Sequence, residues 1–303
     1  MLYRCSLSIF CSRTAFSARR IRSNLSTHAQ KVSTELLARL RKSTGYPILK
    51  CRRALLETGN DLQKAEAWLA DEAQREGWTR VEQLQSRKTS HGLVAVKTEK
   101  TYGVMVEVNC ETDFVSRNET FQGFVGMVTQ SFFTHYEHMS HSCSTPVSMF
   151  EADGDILSSL STPESSSIGD QLAKTVGRLS EKVSLRRGVA LSTAQGVVVG
   201  YSHGSVPRVV DLPCSVGSYG ALVALQGSES EDAVRKLGSR IGMQVVGTNP
   251  KGMEPPHESK TMDKQDWLLS QQFLFDNSVM IQEMLESHGA TIFGFLRYSC
   301  GDD

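Results

Sequence analysis

The 303-residue chain contains no Gly-x-x-x-x-Gly-Lys-Ser/Thr loop, no Gly-x-Gly-x-x-Gly turn and no His-Glu-x-x-His pair. These absences remove the common phosphate-cradling, dinucleotide-binding and zinc-protease signatures. The seven cysteines (Cys5, Cys11, Cys51, Cys110, Cys143, Cys214 and Cys300) form no Cys-x-x-Cys pair and are far apart. Scattered, odd-numbered thiols describe a reduced protein rather than a disulfide framework. No apolar run approaches the roughly 18–20 residues of a membrane span. Acid is missing from the first 34 residues, where Arg4, Arg13, Arg19, Arg20, Arg22 and Lys31 are separated by Ser and Thr. An arginine-rich, serine-rich, acid-free leader describes an organellar transit peptide, with a basic nucleic-acid-binding arm as the alternative. A secretory signal fits worse, because only the short apolar run at residues 7–10 lies between Arg4 and Arg13. Beyond the leader 27 basic residues face 33 acids, a net of about −6. An acidic body argues against binding a phosphate backbone.

The spacing of Leu36, Leu37 and Leu40, then of Leu49, Ala54, Leu55 and Leu56, then of Leu62, Ala65, Trp68 and Leu69 predicts three short helices over residues 33–76. Gly45, Pro47 and the Gly59-Asn60-Asp61 run punctuate them. Residues 77–91 read as a polar linker. Two β-rich runs, residues 92–97 and 103–109, predict an antiparallel hairpin. Ser116 and Glu119 suggest a capping box opening a helix with Phe121, Phe124, Val125 and Val128 on one face. The Ser-rich residues 139–168 read as a long loop or partly disordered insert. A helix is expected over 168–183, strands near 188–192, 197–201 and 220–225, a helix over 229–245, one or two helices over 264–287, and a closing strand over 290–299. Tyr102–Val106 and Tyr219–Val223 hint at an internal repeat, with chance similarity of short apolar strands as the alternative.

Two clusters could carry chemistry. His135, His138, His141 and Cys143 are possible metal ligands, but four ligands within nine residues have no second pair to fold around. A solvated helix end is the preferred reading, with no metal expected. The basic positions Arg39, Arg41, Lys42, Lys50, Arg52 and Arg53 read as a solvated or protein-docking face, since no aromatics interleave with them. The most informative segment is Asn109-Cys110-Glu111-Thr112-Asp113-Phe114-Val115-Ser116-Arg117-Asn118, on a strand-to-helix turn. Locally, Phe114 could pack under the helix start while Asp113 satisfies free N–H groups. Val115 and Ser116 are also available for those jobs, which leaves Asp113-Phe114 as surplus.

These residues resemble a known family. The run at 108–115 resembles the signature of elongation factor Ts, the guanine-nucleotide exchange factor for elongation factor Tu. Thr44-Gly45, Cys51–Leu55 and Gly59–Leu62 resemble the family's N-terminal module. Gly177–Arg187, Tyr201-Ser202-His203-Gly204 and Gly294–Tyr298 resemble its later segments. Together they cover most of residues 34–300 in the family's order. With the leader, the chain resembles the mitochondrial form. Departures are Tyr46-Pro47-Ile48 after Gly45, Gln244 where the family usually has His, an apparent insertion at 204–218, and no evident long coiled-coil extension.

The resemblance implies an α+β fold: an N-terminal three-helix (UBA-like) module followed by a core of two related α+β subdomains with small antiparallel sheets. The expected organisation is a transit peptide at 1–33, the module at 34–77, a linker at 78–91, one subdomain at 92–185 carrying the insert 139–168, and a second at 186–303. It also implies a protein of the mitochondrial matrix without catalytic residues or cofactor and without direct nucleic-acid contact. Its partner would be mitochondrial elongation factor Tu, GDP-bound or nucleotide-free, and its task the release of GDP. Thr112, Asp113, Phe114 and Val115 would enter near the partner's Mg²⁺ and phosphate site, and His203 would press on an adjacent helix. A helical adaptor working through the three-helix module alone is the competing reading.

Overall fold

The structure is a computed structural model that describes residues 32–140, 146–163, 165–204, 207, 210–255 and 264–302. It begins with α1 (Thr34–Thr44), α2 (Ile48–Glu57) and α3 (Leu62–Leu84). The Ser33 and Asp61 side chains accept the backbone N–H groups of Leu36 and Lys64, satisfying free donors at the starts of α1 and α3. Gly45, at φ 70°, ends α1 by returning its N–H to Arg41 O. Leu40, Cys51, Ala54, Leu55, Ala65 and Leu69 form the module's buried centre.

The core follows as β1 (His91–Glu99), β2 (Tyr102–Cys110), α4 (Asp113–Ser116), α5 (Glu119–Ser140), β3 (Val147–Asp153), α6 (Gly154–Ser159), α7 (Ile168–Leu179) and β4 (Val183–Thr193). Then come β5 (Val197–His203), β6 (Ser215–Gly217), β7 (Tyr219–Gly227), α8 (Glu231–Thr248), β8 (Gln272–Phe273), β9 (Asp276–Met280), α9 (Ile281–Ser287) and β10 (Ala290–Ser299). A five-stranded sheet runs β3-β4-β2-β1-β6 and a three-stranded sheet runs β10-β7-β5, each with antiparallel neighbours. The expected α+β class therefore holds. α5 covers one face of the larger sheet with Phe121, Phe124, Val125, Val128 and Phe132. α8 covers the smaller sheet with Val234, Leu237, Ile241 and Val245. Between the sheets, Val94, Val96, Met105, Val189 and Leu191 meet Val198, Leu222 and Ala224. Tyr102–Val106 and Tyr219–Val223 both lie in the central strand of their sheet, each followed by the helix that covers it; the sheets differ in size.

Several expectations are corrected. The predicted linker is largely helix, because α3 continues to Leu84 and packs Val81 and Leu84 into the core. Glycines bring α3 and α7 into backbone contact: a Cβ at Gly77 would stand 2.0 Å from Ala173 O, and one at Gly177 would stand 2.6 Å from Ala73 O. The Ser-rich insert carries β3, which extends the larger sheet, and α6, whose Leu157 is fully buried; residues 141–145 of it lie outside the described residues. The subdomain boundary at 185/186 would cut β4, which pairs with β2 and β3 along its whole length. β6 also returns from the second half of the chain to pair with β1. The helices expected over 264–287 reduce to α9 alone plus two single 3-10 turns and the β8–β9 hairpin. An apolar pattern this short does not separate a helix from a hairpin.

Candidate functional site

β2 delivers the chain to Cys110, and the next residues form a built turn. The Thr112 hydroxyl accepts Val115 N–H at 3.4 Å and donates to the Glu181 carboxylate at 3.0 Å. Ser116 Oγ folds back to donate to Asp113 O at 2.7 Å. Glu111 accepts Lys182 N–H at 2.7 Å and pairs with Arg87 at 3.1 Å. Lys182 Nζ in turn donates to the carbonyls of Gln85 and Arg87, at 2.6 and 2.8 Å. The Cys110 thiol donates to Thr112 O. The root of the turn is therefore held from the end of α3 and from the turn between α7 and β4.

On this base the side chains divide sharply. Val115 and Ser116 point inward and are buried. Phe114 points outward, 81% exposed. Asp113 is half-exposed and pairs with Arg117 at 3.3 Å. An aromatic ring left in water forfeits about 2–3 kcal/mol of burial free energy, so the turn presents Phe114 at a standing cost. The predicted capping box does not form. Residues 113–116 make their own helical turn, so Ser116 lies inside α4, and Asn118 accepts Thr120 N–H at 2.8 Å to start α5. Thr112 and Val115 thus support the turn from within, while Asp113 and Phe114 form its outer surface.

His203 ends β5, where it pairs in register with Tyr219. It is exposed, and its Nδ1 lies 3.1 Å from Tyr201 Oη. The run Gly200-Tyr201-Ser202-His203-Gly204 has Gly-x-Ser-x-Gly spacing. Here Ser202 pairs with Gly220 along β5, and the next element among the described residues is the strand β6 rather than a helix, which is not the setting of a nucleophile elbow. His135 is exposed on α5; the side chain of His138, and His141 and Cys143, lie outside the described residues. Among the described residues no three His, Cys, Asp or Glu side chains converge on a metal position. No described helix is long and apolar enough to cross a membrane.

Gln244, one of the departures from the resemblance, is buried. Its amide donates to Gln271 Oε1 at 3.0 Å and Gln272 O at 3.1 Å, and accepts Leu274 N–H at 2.9 Å. It holds the β8–β9 hairpin and touches no solvent-facing surface. Burial lifts the thiols of Cys110 and Cys300 to about 12, with Cys300 also repelling charge at Cys110. Both are inert sulfhydryls at neutral pH.

Residues 18–79 match the family model described as "Elongation factor Ts, mitochondrial, N-terminal", and residues 111–265 match "Elongation factor TS". The chain belongs to the elongation factor Ts family. It is 39% identical to mitochondrial elongation factor Ts of Salmo salar over 285 residues, 91% of each chain. It is 36% identical to that of Homo sapiens over 276 residues, 90% of this chain and 85% of the other. The Aedes aegypti relative is 32% identical over 303 residues, 97% and 95% of the two chains. The chain is therefore a mitochondrial translation elongation factor. The first family match begins inside the segment read as a presequence. Positions Arg87, Glu181 and Lys182 escaped the sequence reading as site residues, because they reach the turn only through the fold.

Proposed function

We propose that this family member is a guanine-nucleotide exchange factor for mitochondrial elongation factor Tu. In this reading α4 is the wedge: Phe114 enters the partner's nucleotide domain and Asp113 exchanges its Arg117 contact for one on the partner. Thr112 and Val115 brace the wedge from behind, and His203 makes a second contact from the smaller sheet. The leader at residues 1–33 serves as the presequence. The observation that carries the reading is the 81% exposure of Phe114 on a turn anchored by Glu111, Thr112, Glu181 and Lys182. A rigidly held, solvent-exposed aromatic is poised to gain free energy only in a complex.

Exchange of this kind requires no acid, base or nucleophile. It is linkage: if the protein weakens GDP on its partner by some factor, GDP weakens the protein's own binding by the same factor. The test is GDP release from mitochondrial elongation factor Tu with wild type, Phe114→Ala and Asp113→Ala. Wild type accelerates release, and both variants lose most of that effect while remaining folded.

The adaptor reading draws on Ile48 and Leu49 at the start of α2, which are 48% and 75% exposed. In the exchange reading these side chains dock the module on the same partner. Ile48→Ser/Leu49→Ser then weakens binding to elongation factor Tu. Loss of binding to some other protein, with exchange intact, would favour the adaptor.

A further inference from the structure

The contact between the two sheets is apolar at one end and ionic at the other. On β2, Met105, Glu107 and Asn109 alternate on the side that faces the smaller sheet. Met105 joins the apolar cluster. Glu107 is fully buried and accepts three donors: Arg187 Nε at 2.8 Å, Asn109 Nδ2 at 3.0 Å and the Gly301 backbone N–H at 2.8 Å. Arg187 comes from β4, where the pairing with β2 slips by one residue beside Glu107 and leaves Arg186 as the extra residue. Such a bulge re-aims the neighbouring side chain. The Arg187 guanidinium lies 4.3 Å from the centre of the Tyr298 ring and donates to Ser299 O at 3.5 Å. Cys300 N–H donates to Ser218 O at 2.8 Å.

This ionic end reaches both proposed contacts. The Phe114 turn leaves β2 directly after Asn109 and Cys110. In the smaller sheet Ser299 pairs with Tyr219, and Tyr219 pairs with His203. One carboxylate thus joins the strand carrying the wedge to the strand row carrying His203. An apolar replacement of a buried ion pair is often no less stable, so stability alone does not account for the charge. Two contacts on separate sheets act as one bidentate ligand only when their spacing is held.

We infer that Glu107, with Arg187 and the Ser299–Gly301 segment, is a positioning pin that holds Phe114 and His203 at a set spacing so that they engage the partner together. The inference rests on the exchange reading above. The test is a double-mutant cycle, Phe114→Ala with His203→Ala, on GDP release from mitochondrial elongation factor Tu. It is run in the native background and in Glu107→Gln, with melting curves of every variant. In the native background the double variant loses less than the product of the two single losses, by on the order of tenfold. In Glu107→Gln the single losses multiply to within about twofold, because the two contacts no longer act together. Unchanged coupling in a folded Glu107→Gln protein overturns the pin. Should that variant fail to fold, deletion of residues 301–303 removes the Gly301 donor and enters the same cycle; coupling that shrinks supports the pin, and coupling that persists overturns it. If Phe114→Ala and His203→Ala each exchange like wild type, the exchange reading itself fails and the pin falls with it.

Discussion

Truncating Phe114 separates the proposed wedge from the scaffold, because the structure places the ring almost wholly in water. At 81% exposure the side chain contributes little to folding, so Phe114→Ala leaves stability within about 0.5 kcal/mol of wild type. Its neighbour Val115 is 7% exposed in the core, and Val115→Ala costs about 1–3 kcal/mol through lost burial and a cavity. Exchange reverses the order. If the Phe114 ring is buried only in the complex, its loss removes about 2–3 kcal/mol, or roughly 30- to 160-fold in the rate of GDP release. Phe114→Leu keeps much of the apolar area and falls between. The assay is stopped-flow release of fluorescent GDP from mitochondrial elongation factor Tu with this protein substoichiometric, and calorimetric melting alongside. A folded Phe114→Ala protein that exchanges at the wild-type rate would refute the reasoning. So would a Phe114→Ala protein that melts several degrees lower, since the ring would then belong to the core.

Three further outcomes follow from the geometry. Glu181→Gln weakens the charge-assisted bond from Thr112 and loosens the root of the turn, so exchange falls several-fold while the melting temperature moves by less than about 2 °C; equal exchange would show that the turn needs no such brace. Gln244→Leu leaves Leu274 N–H short of a partner inside the protein, while Gln271 Oε1 keeps the Thr248 hydroxyl, and costs about 1–3 kcal/mol, read by calorimetry and by faster hydrogen exchange in residues 272–280; an unshifted melting curve would contradict the network. Because burial lifts the Cys110 and Cys300 thiols to about 12, the native state keeps protons that the unfolded chain releases near about pH 8.5. Their contribution to stability is complete below that pH and is lost as pH rises toward 12, so the melting temperature drops between pH 9 and 11 and Cys300→Ala flattens the drop; identical slopes would refute it.

Much of the fold is legible in the pattern of residues. The three leucine stripes place the first three helices, and the β1–β2 hairpin and closing strand lie within a residue or two of their predicted bounds. The misses share a cause. Residues 77–84 are polar enough to read as a linker, yet Val81 and Leu84 complete a helix face once the core is there to meet them. Residues 147–153 look like loop in isolation and become a strand because β4 offers an edge. Ser116 and Glu119 have capping spacing, but a one-turn helix claims Ser116 first. Within the site, Asp113 and Phe114 stand out by type and place, and their resemblance to a family signature adds direction.

By itself the sequence carried the succession of helices and strands, the resemblance to elongation factor Ts with the α+β fold it implies, and the unusual type and place of Asp113 and Phe114 on the strand-to-helix turn. These depend on local periodicity and contiguous motif, which any single segment carries. Only the tertiary structure decided that Phe114 faces water while Val115 faces the core, since one helical turn rotates adjacent side chains to opposite environments. It alone brought Arg87, Glu181 and Lys182 to the base of that turn, and Glu107 to Gly301. Such contacts join residues tens to hundreds of positions apart, and no local pattern encodes which distant strand or turn will supply the partner.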